Sequence, residues 1–245
     1  MKFEKVTVVI VATDEEKSLI QTVDTIALNC DMTDIDSILI VIPENASEGC
    51  IHTIEYLKEK YYPVVRRHNQ QLPYIGGAVR EAIKLTDSSH IMFLSADIPT
   101  DLRSVPEMIE KAKEHPEKII KISRWLEKNS FYGYSEIRKV FNRIAQLFLR
   151  ILYNSKLTDF TIPVLIGPTS VYKKADFKEW KFPFFLEMVL LPLSMKCTII
   201  EIPTKCYARK EGKSSNSFMQ TADYLRVALH IRFMKKEDIL LDKKD

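Results

Sequence analysis

HIMFLSADIPTD, residues 90–101, sets an apolar run against a carboxylate placed just past its end. Residues 91–94 read as a buried strand, and the run stops at Ser95-Ala96-Asp97, with Asp101 four residues on. In an open α/β sheet ligands collect at the carboxyl ends of strands, so Asp97 faces a candidate site. A single carboxylate there suits a hard cation that is also held by a phosphate. It suits a turn or cap residue as well, and the residues alone leave both readings open.

On either side of this stretch, strands alternate with helices. Residues 6–11 form a β-branched run followed by Thr13-Asp14, a buried strand leading to a helix over 15–28. Residues 37–42 give a second strand, 50–61 a helix, and 63–65 a short edge strand. A helix opens at Gly76-Gly77 and runs through Leu85. Beyond Asp101, Ser104 with Glu107 has capping-box spacing for a helix reaching about His115, and 119–123 is a further strand. This alternation predicts an α/β fold, a mostly parallel, doubly wound sheet flanked by helices. The second half reads as a long amphipathic helix over 135–153, a short strand and turn over 162–172, and a helix over 184–196. A strand over 198–202 and a terminal helix over 217–236 complete it. With no linker, repeat or low-complexity tract, the expectation is one domain over 1–245. Residues 1–123 form its nucleotide-binding half, 124–216 its acceptor-side half, and 217–245 a terminal helix and charged tail.

Composition narrows the classes. The chain has 245 residues, 46% hydrophobic and 28% charged, which is ordinary for a globular protein that buries a sizeable core. A net charge of +3 is too small to argue for a nucleic-acid partner. Residues 121–156 nevertheless carry eight Lys/Arg against two Asp/Glu, leaving −3 over the remainder. Such a local basic surface implies an anionic partner. The four cysteines make no CxxC pair, and reduced thiols in a cytoplasmic protein are expected. No apolar run approaches the ~20 residues that span a bilayer, so membrane contact is expected to be peripheral. None of the five histidines has ligand spacing, and neither GxSxG nor GxxxxGK[ST] occurs, which disfavours serine hydrolases and P-loop NTPases.

Several pieces carry possible chemistry, each with an ordinary structural alternative. The turn after the first strand, with Ala12, Thr13 and Glu15, can hold a base and ribose or simply start a helix. Glu44, just past the second strand, can accept from base N–H groups or be a solvated loop acid. Gly76 and Gly77 at a helix start let backbone N–H groups approach an anion, although tight turns use such pairs too. Along 135–153, Ile137, Val140, Phe141, Ile144, Leu147, Phe148 and Ile151 recur at helical spacing, with Lys139, Arg143 and Arg150 on another face. A core-packing helix with a solvated basic side is the expectation, with a helix lying on a membrane as the alternative. The loop after 198–202 carries Lys205, Arg209, Lys210 and Lys213, suited to a phosphate or to plain surface.

In their order these pieces resemble the inverting family-two glycosyltransferases of the GT-A fold, with dolichol-phosphate mannosyltransferase and its polyprenyl-phosphate relatives as the branch of greatest resemblance. It covers roughly residues 5–216. Ala12 and Glu15 match the family's first turn, Glu44 its base-recognising acid, and Gly76, Gly77, Ala78 and Arg80 its glycine-rich helix start. Ser95-Ala96-Asp97 matches Asp-Ala-Asp with serine in place of the first acid, and Pro99 stands where Gln is usual. Ser123-Arg124-Trp125, Asp159, Phe185-Leu186-Glu187, Glu201-Ile202-Pro203 and the 209–215 run, with Arg209, Lys213 and Ser214, match later elements. An arginine usual near position 165 is absent.

The resemblance implies transfer of a sugar from a nucleotide sugar to an acceptor, a polyprenyl phosphate among the candidates. Donor binding then falls to Ala12, Thr13, Glu15, Glu44, Gly76, Gly77, Arg80, Ala96 and Asp97, with Mg2+ or Mn2+ on Asp97. Arg124, Arg209, Lys213 and Ser214 would meet phosphate or acceptor. Asp97, Arg124, Glu187 and Asp159 are the catalytic candidates, the last two as bases for a hydroxyl acceptor. It also implies a cytoplasmic protein, peripheral at the inner membrane face. The alternative is a catalytically degenerate GT-A-like binding or scaffold subunit, since the departures at 13, 43, 95, 99 and 165 fall on donor and phosphate positions.

Overall fold

The structure is a computed structural model. It describes residues 1–97, 100–207 and 218–241, except for the side chains of 218–221 and 236. Seven strands form one sheet in the order β3-β2-β1-β4-β7-β5-β8. These are β1 (Val6–Val11), β2 (Ile35–Ile42), β3 (Val65–Asn69), β4 (His90–Ser95), β5 (Ile119–Ser123), β7 (Leu165–Pro168) and β8 (Ile199–Pro203). All pairings are parallel except those of β7, which runs antiparallel to β4 and β5. A two-stranded ribbon pairs β6 (Phe131–Tyr132) with β9 (Cys206–Tyr207). This is the expected mostly parallel sheet.

Alternation along the strands builds two cores. Val6, Val8 and Ile10 of β1 join Ile38, Ile40 and Ile42 of β2 on one face, under α1 (Lys17–Asn29), α2 (Glu48–Lys60) and α4 (Ser104–Glu114). Val9, Leu39, Val41, Ile91 and Phe93 face the other way. Over them lie α3 (Tyr74–Leu85), α6 (Thr169–Lys174), α7 (Phe184–Ser194) and α8 (Phe218–Phe233). The strands of a sheet covered on both faces read as continuous apolar runs, as β1, β2 and β4 do.

Three local expectations are corrected. The edge strand is Val65–Asn69 rather than 63–65; its sequence VRRHN pairs with β2 alone and can afford polar side chains at the sheet margin. Ser104 is not a capping residue, because its hydroxyl donates to the Asp101 carbonyl at 2.7 Å while Asp101 Oδ1 accepts the Arg103 amide at 3.1 Å. The third correction concerns α5 (Glu136–Leu152), where the expected core-packing helix is overturned. Its apolar side chains lie outward: Ile137, Val140, Phe141, Ile144, Leu147, Phe148 and Ile151 are all exposed, Ile151 by 81%. Within this helix the buried residues are Gln146 and Leu149.

Candidate active site at the carboxyl edge of the sheet

Strand register brings several of the sequence-predicted residues to one edge. Val11 pairs with both Val41 and Ser95, so Ala12–Thr13, Ile42–Glu44 and Ala96–Asp97 leave the sheet side by side. Lys121 and Phe93 both pair with Leu165, so the end of β5, with Ser123 and Arg124, lies along the same edge. The chain entering β7, residues 159–164, starts there too, and β8 ends beside Ser123.

The turn after β1 is fixed by its own acid. Glu15 Oε2 accepts the amides of Thr13 at 2.8 Å and Asp14 at 3.2 Å, so this carboxylate shapes the turn. The Thr13 carbonyl accepts the amide of Ser47, whose hydroxyl caps α2 through Cys50. Ala12 is buried, and Glu44 is exposed at the end of β2.

At the end of β4, the Ser95 hydroxyl donates to the Asp97 carboxylate, and Asp97 is 9% exposed. Serine at this position therefore acts on the remaining acid. Asp101 instead forms a two-pronged pair with Arg103. No group of three His, Cys, Asp or Glu among the described residues could hold a metal by itself. What Ser95 and Asp97 offer fits Mg2+ or Mn2+ shared with a substrate diphosphate, since Mg2+ commonly sits on one or two carboxylates plus phosphate and water.

Across the edge is a buried charge cluster. Asp159 has no exposed surface and receives Arg124 Nε at 2.6 Å and Nη2 at 2.8 Å in the two-pronged geometry that guanidinium favours. Burial pushes the Asp159 carboxyl up, but the Arg124 charge and hydrogen bonds outweigh it and hold it well below the usual range. Glu201 of β8 accepts the amides of Thr158 at 2.7 Å and Asp159 at 2.9 Å. Lys121, fully buried in β5, donates to the Asp159 carbonyl at 2.6 Å, and burial lowers its pKa. Cys206 joins the two sides: its buried thiol is raised chiefly by desolvation, and Arg124, Asp159 and Asp97 all act on it.

Gly76, Gly77, Arg80 and Glu187 make their hydrogen bonds to residues other than those of this cluster. The Gly76 amide donates to the Trp180 carbonyl at 2.8 Å and that of Gly77 to Pro73 at 3.2 Å, so these N–H groups are occupied within the fold. A Cβ on Gly76 would lie 2.5 Å from the Glu179 carbonyl oxygen, so this glycine permits close backbone approach. Arg80 donates to the Phe177 and Glu179 carbonyls and stacks 4.3 Å from the Trp180 ring. Glu187 accepts the amides of Lys178 and Glu179 at 3.1 and 2.9 Å, is 2% exposed, and is pushed by burial up to about 7. Arg209, Lys213 and Ser214 lie outside the described residues.

Sequence reasoning did not single out Lys121, Gln146 or Thr161. A lysine between isoleucines in a buried strand was the readable signal for the first. A glutamine on the polar side of an amphipathic helix gives none.

Comparison with known proteins agrees with this architecture. The crystal structure of glucosyl-3-phosphoglycerate synthase from Mycobacterium tuberculosis with Mn2+, UDP and phosphoglyceric acid has a TM-score of 0.71. It is 12% identical over 95% of this chain and 80% of that one. The same synthase with Mg2+ and UDP gives 0.69 at 14% identity, over 94% and 79%. The crystal structure of a mycobacterial protein gives 0.73 at 10% identity, over 96% and 76%. At such identities the likeness is one of fold, the expected GT-A-like α/β arrangement. The sequence model of glycosyl transferase family 2 matches residues 7–181, from the first strand through the site edge. The chain therefore belongs to glycosyl transferase family 2.

Proposed function

We propose that this glycosyltransferase moves a sugar, with inversion, from a nucleotide sugar to a lipid-borne phosphate at a membrane surface. The observation that carries the reading is α5, which turns its apolar face outward and bonds the charged edge on its opposite side through Asn142 and Gln146. No helix among the described residues is long and apolar enough to cross a membrane. A helix with apolar residues outward and Arg143 and Arg150 beside them has the composition of one lying in a lipid interface.

The nucleotide would span the ends of β1, β2 and β4, with base and ribose toward Ala12, Thr13 and Glu44 and the diphosphate toward Asp97. The M. tuberculosis synthase is solved with UDP and Mn2+ or Mg2+, which supports a nucleoside diphosphate with a divalent cation as the donor chemistry. Negative charge grows on the leaving diphosphate, so fixed positive groups at this edge lower the barrier. Arg124 is the described guanidinium there, oriented by Asp159. When bound, a divalent cation on Asp97 supplies further positive charge.

The acceptor class follows from the carboxylates. Asp159 is ionised but enclosed by Arg124, and Glu187 is buried against the 178–179 amides. Neither lies open to an acceptor hydroxyl in this structure. A phosphate acceptor is already ionised near neutrality and needs no base.

Two measurements test the reading. UDP or GDP with Mn2+ should raise the unfolding temperature of the protein, and Asp97→Ala should abolish the Mn2+-dependent part. The protein should float with phosphatidylglycerol vesicles. No shift with either nucleotide would falsify the donor assignment, and absence from the vesicle fraction would remove the lipid acceptor.

A further inference from the structure

The side of α5 that faces the body of the protein is polar, and its groups lead to Arg124. Asn142 accepts the Trp125 indole N–H at 3.1 Å, and Arg143 lies 5.0 Å from the centre of the same ring. One turn further, Gln146 is 1% exposed and uses both ends of its amide. Its Oε1 accepts the Phe160 backbone N–H at 2.7 Å, and its Nε2 donates to the Thr161 hydroxyl at 2.9 Å. The same Thr161 oxygen accepts from Arg124 Nη2 at 2.9 Å and donates to Asp159 Oδ1 at 3.4 Å. A threonine hydroxyl has two lone pairs and one proton, so Thr161 is saturated. Helix α5 holds one lone pair and the guanidinium holds the other. With its apolar stripe outward, the helix is registered on the body by this hydrogen-bond set together with buried Leu149.

We infer that Gln146 is a positioning residue for Arg124. Through the Thr161 hydroxyl, the seating of α5 sets the orientation of the guanidinium that meets phosphate. The affinity of the edge for a diphosphate is thereby coupled to the surface on which α5 rests. This inference rests on the proposed role of Arg124 in phosphate binding and on α5 as the lipid-facing helix. Chain-wide, it makes an apparently solvent-side glutamine part of the transfer site.

The test is a double-mutant cycle read by calorimetry with UDP and GDP in the presence of Mn2+. Gln146→Leu should weaken binding about fivefold in the wild-type background and have no further effect on Arg124→Ala, the non-additivity expected of residues in one network. Thr161→Val should reproduce the loss. Ile144→Ala, on the outward face of the same helix and outside this hydrogen-bond set, should leave affinity unchanged. A loss that persists in the Arg124→Ala background marks Gln146 as merely structural and overturns the proposal. So does unchanged binding in Gln146→Leu.

A second readout needs no nucleotide. The Arg124 Nε–H, buried against Asp159, should give a slowly exchanging side-chain resonance in isotope-labelled protein. Gln146→Leu should speed its exchange and Ile144→Ala should not; equal behaviour of the two variants overturns the proposal even where no nucleotide binds. Flotation with phosphatidylglycerol vesicles separates failure of the lipid reading from failure of this one. Wild type and Gln146→Leu should float alike, because the substitution leaves the apolar face intact.

Discussion

Glu187 illustrates what a residue acquires only from its surroundings. Its sequence context, FFLEMV, presents an acid among apolar neighbours, and the fold buries that acid against two backbone amides. Burial raises its pKa from the usual 4.5 to about 7 despite those amides. Between these values the folded state binds more protons than the unfolded chain, so stability from this group is fully present below 4.5 and is lost as pH rises through 7. At 1.36 kcal/mol per pH unit the effect is on the order of 3 kcal/mol. Glu187→Gln removes the titration. Its melting temperature relative to wild type should therefore rise between pH 5 and pH 8, where wild type is being destabilised; parallel curves for the two proteins would show that Glu187 does not titrate there. Asp159 has the opposite fate, since Arg124 keeps it ionised. Sequence, through its family resemblance, could name Asp97, Arg124 and Asp159 as site candidates. It could not pair Arg124 with Asp159 or place Thr161 between Arg124 and Gln146, because those contacts join segments far apart in the chain.

At the scale of elements, α5 separates periodicity from direction. Spacing at i, i+3 and i+4 locates an amphipathic helix, but both a buried helix and an interfacial one have this pattern. Here the apolar stripe faces outward and the inner side is fastened by Asn142, Gln146 and Leu149. Phe141 and Ile144 are 62% and 57% exposed. Replacing both by Glu should change unfolding free energy by less than about 1 kcal/mol, as surface substitutions do, while abolishing vesicle flotation. Truncation of such residues in a core would instead cost about 3–5 kcal/mol, so chemical denaturation decides which way the helix faces. Most other helix and strand positions were legible, as in β1, β2, β4 and β5, but the β6–β9 ribbon and the helix α6, expected as a turn, were not. The edge strand VRRHN was not, because an edge strand need not bury both faces and so loses the apolar run that marks its neighbours.

Across the whole molecule, α3 reaches the chain between α6 and α7. The Gly76 amide bonds Trp180, Arg80 holds the carbonyls of Phe177 and Glu179, and Glu187 holds the amides that follow. Gly76→Ala would set a methyl group 2.5 Å from the Glu179 carbonyl oxygen and 2.9 Å from Trp180 Cα. Backbone on both sides must then move, at a cost of about 1–3 kcal/mol, seen as a lower melting temperature. An unchanged melting temperature would show that this junction is not tightly packed. The sequence by itself determined the alternation of strands and helices, the mostly parallel sheet and the family, because apolar period and strand-end residues are local properties of the chain. Only the tertiary structure decided that the glycine pair packs backbone against backbone, that Glu15 folds onto its own turn and that α5 turns its apolar face outward. Those outcomes depend on which distant surface reaches each group, and neither spacing nor composition records that.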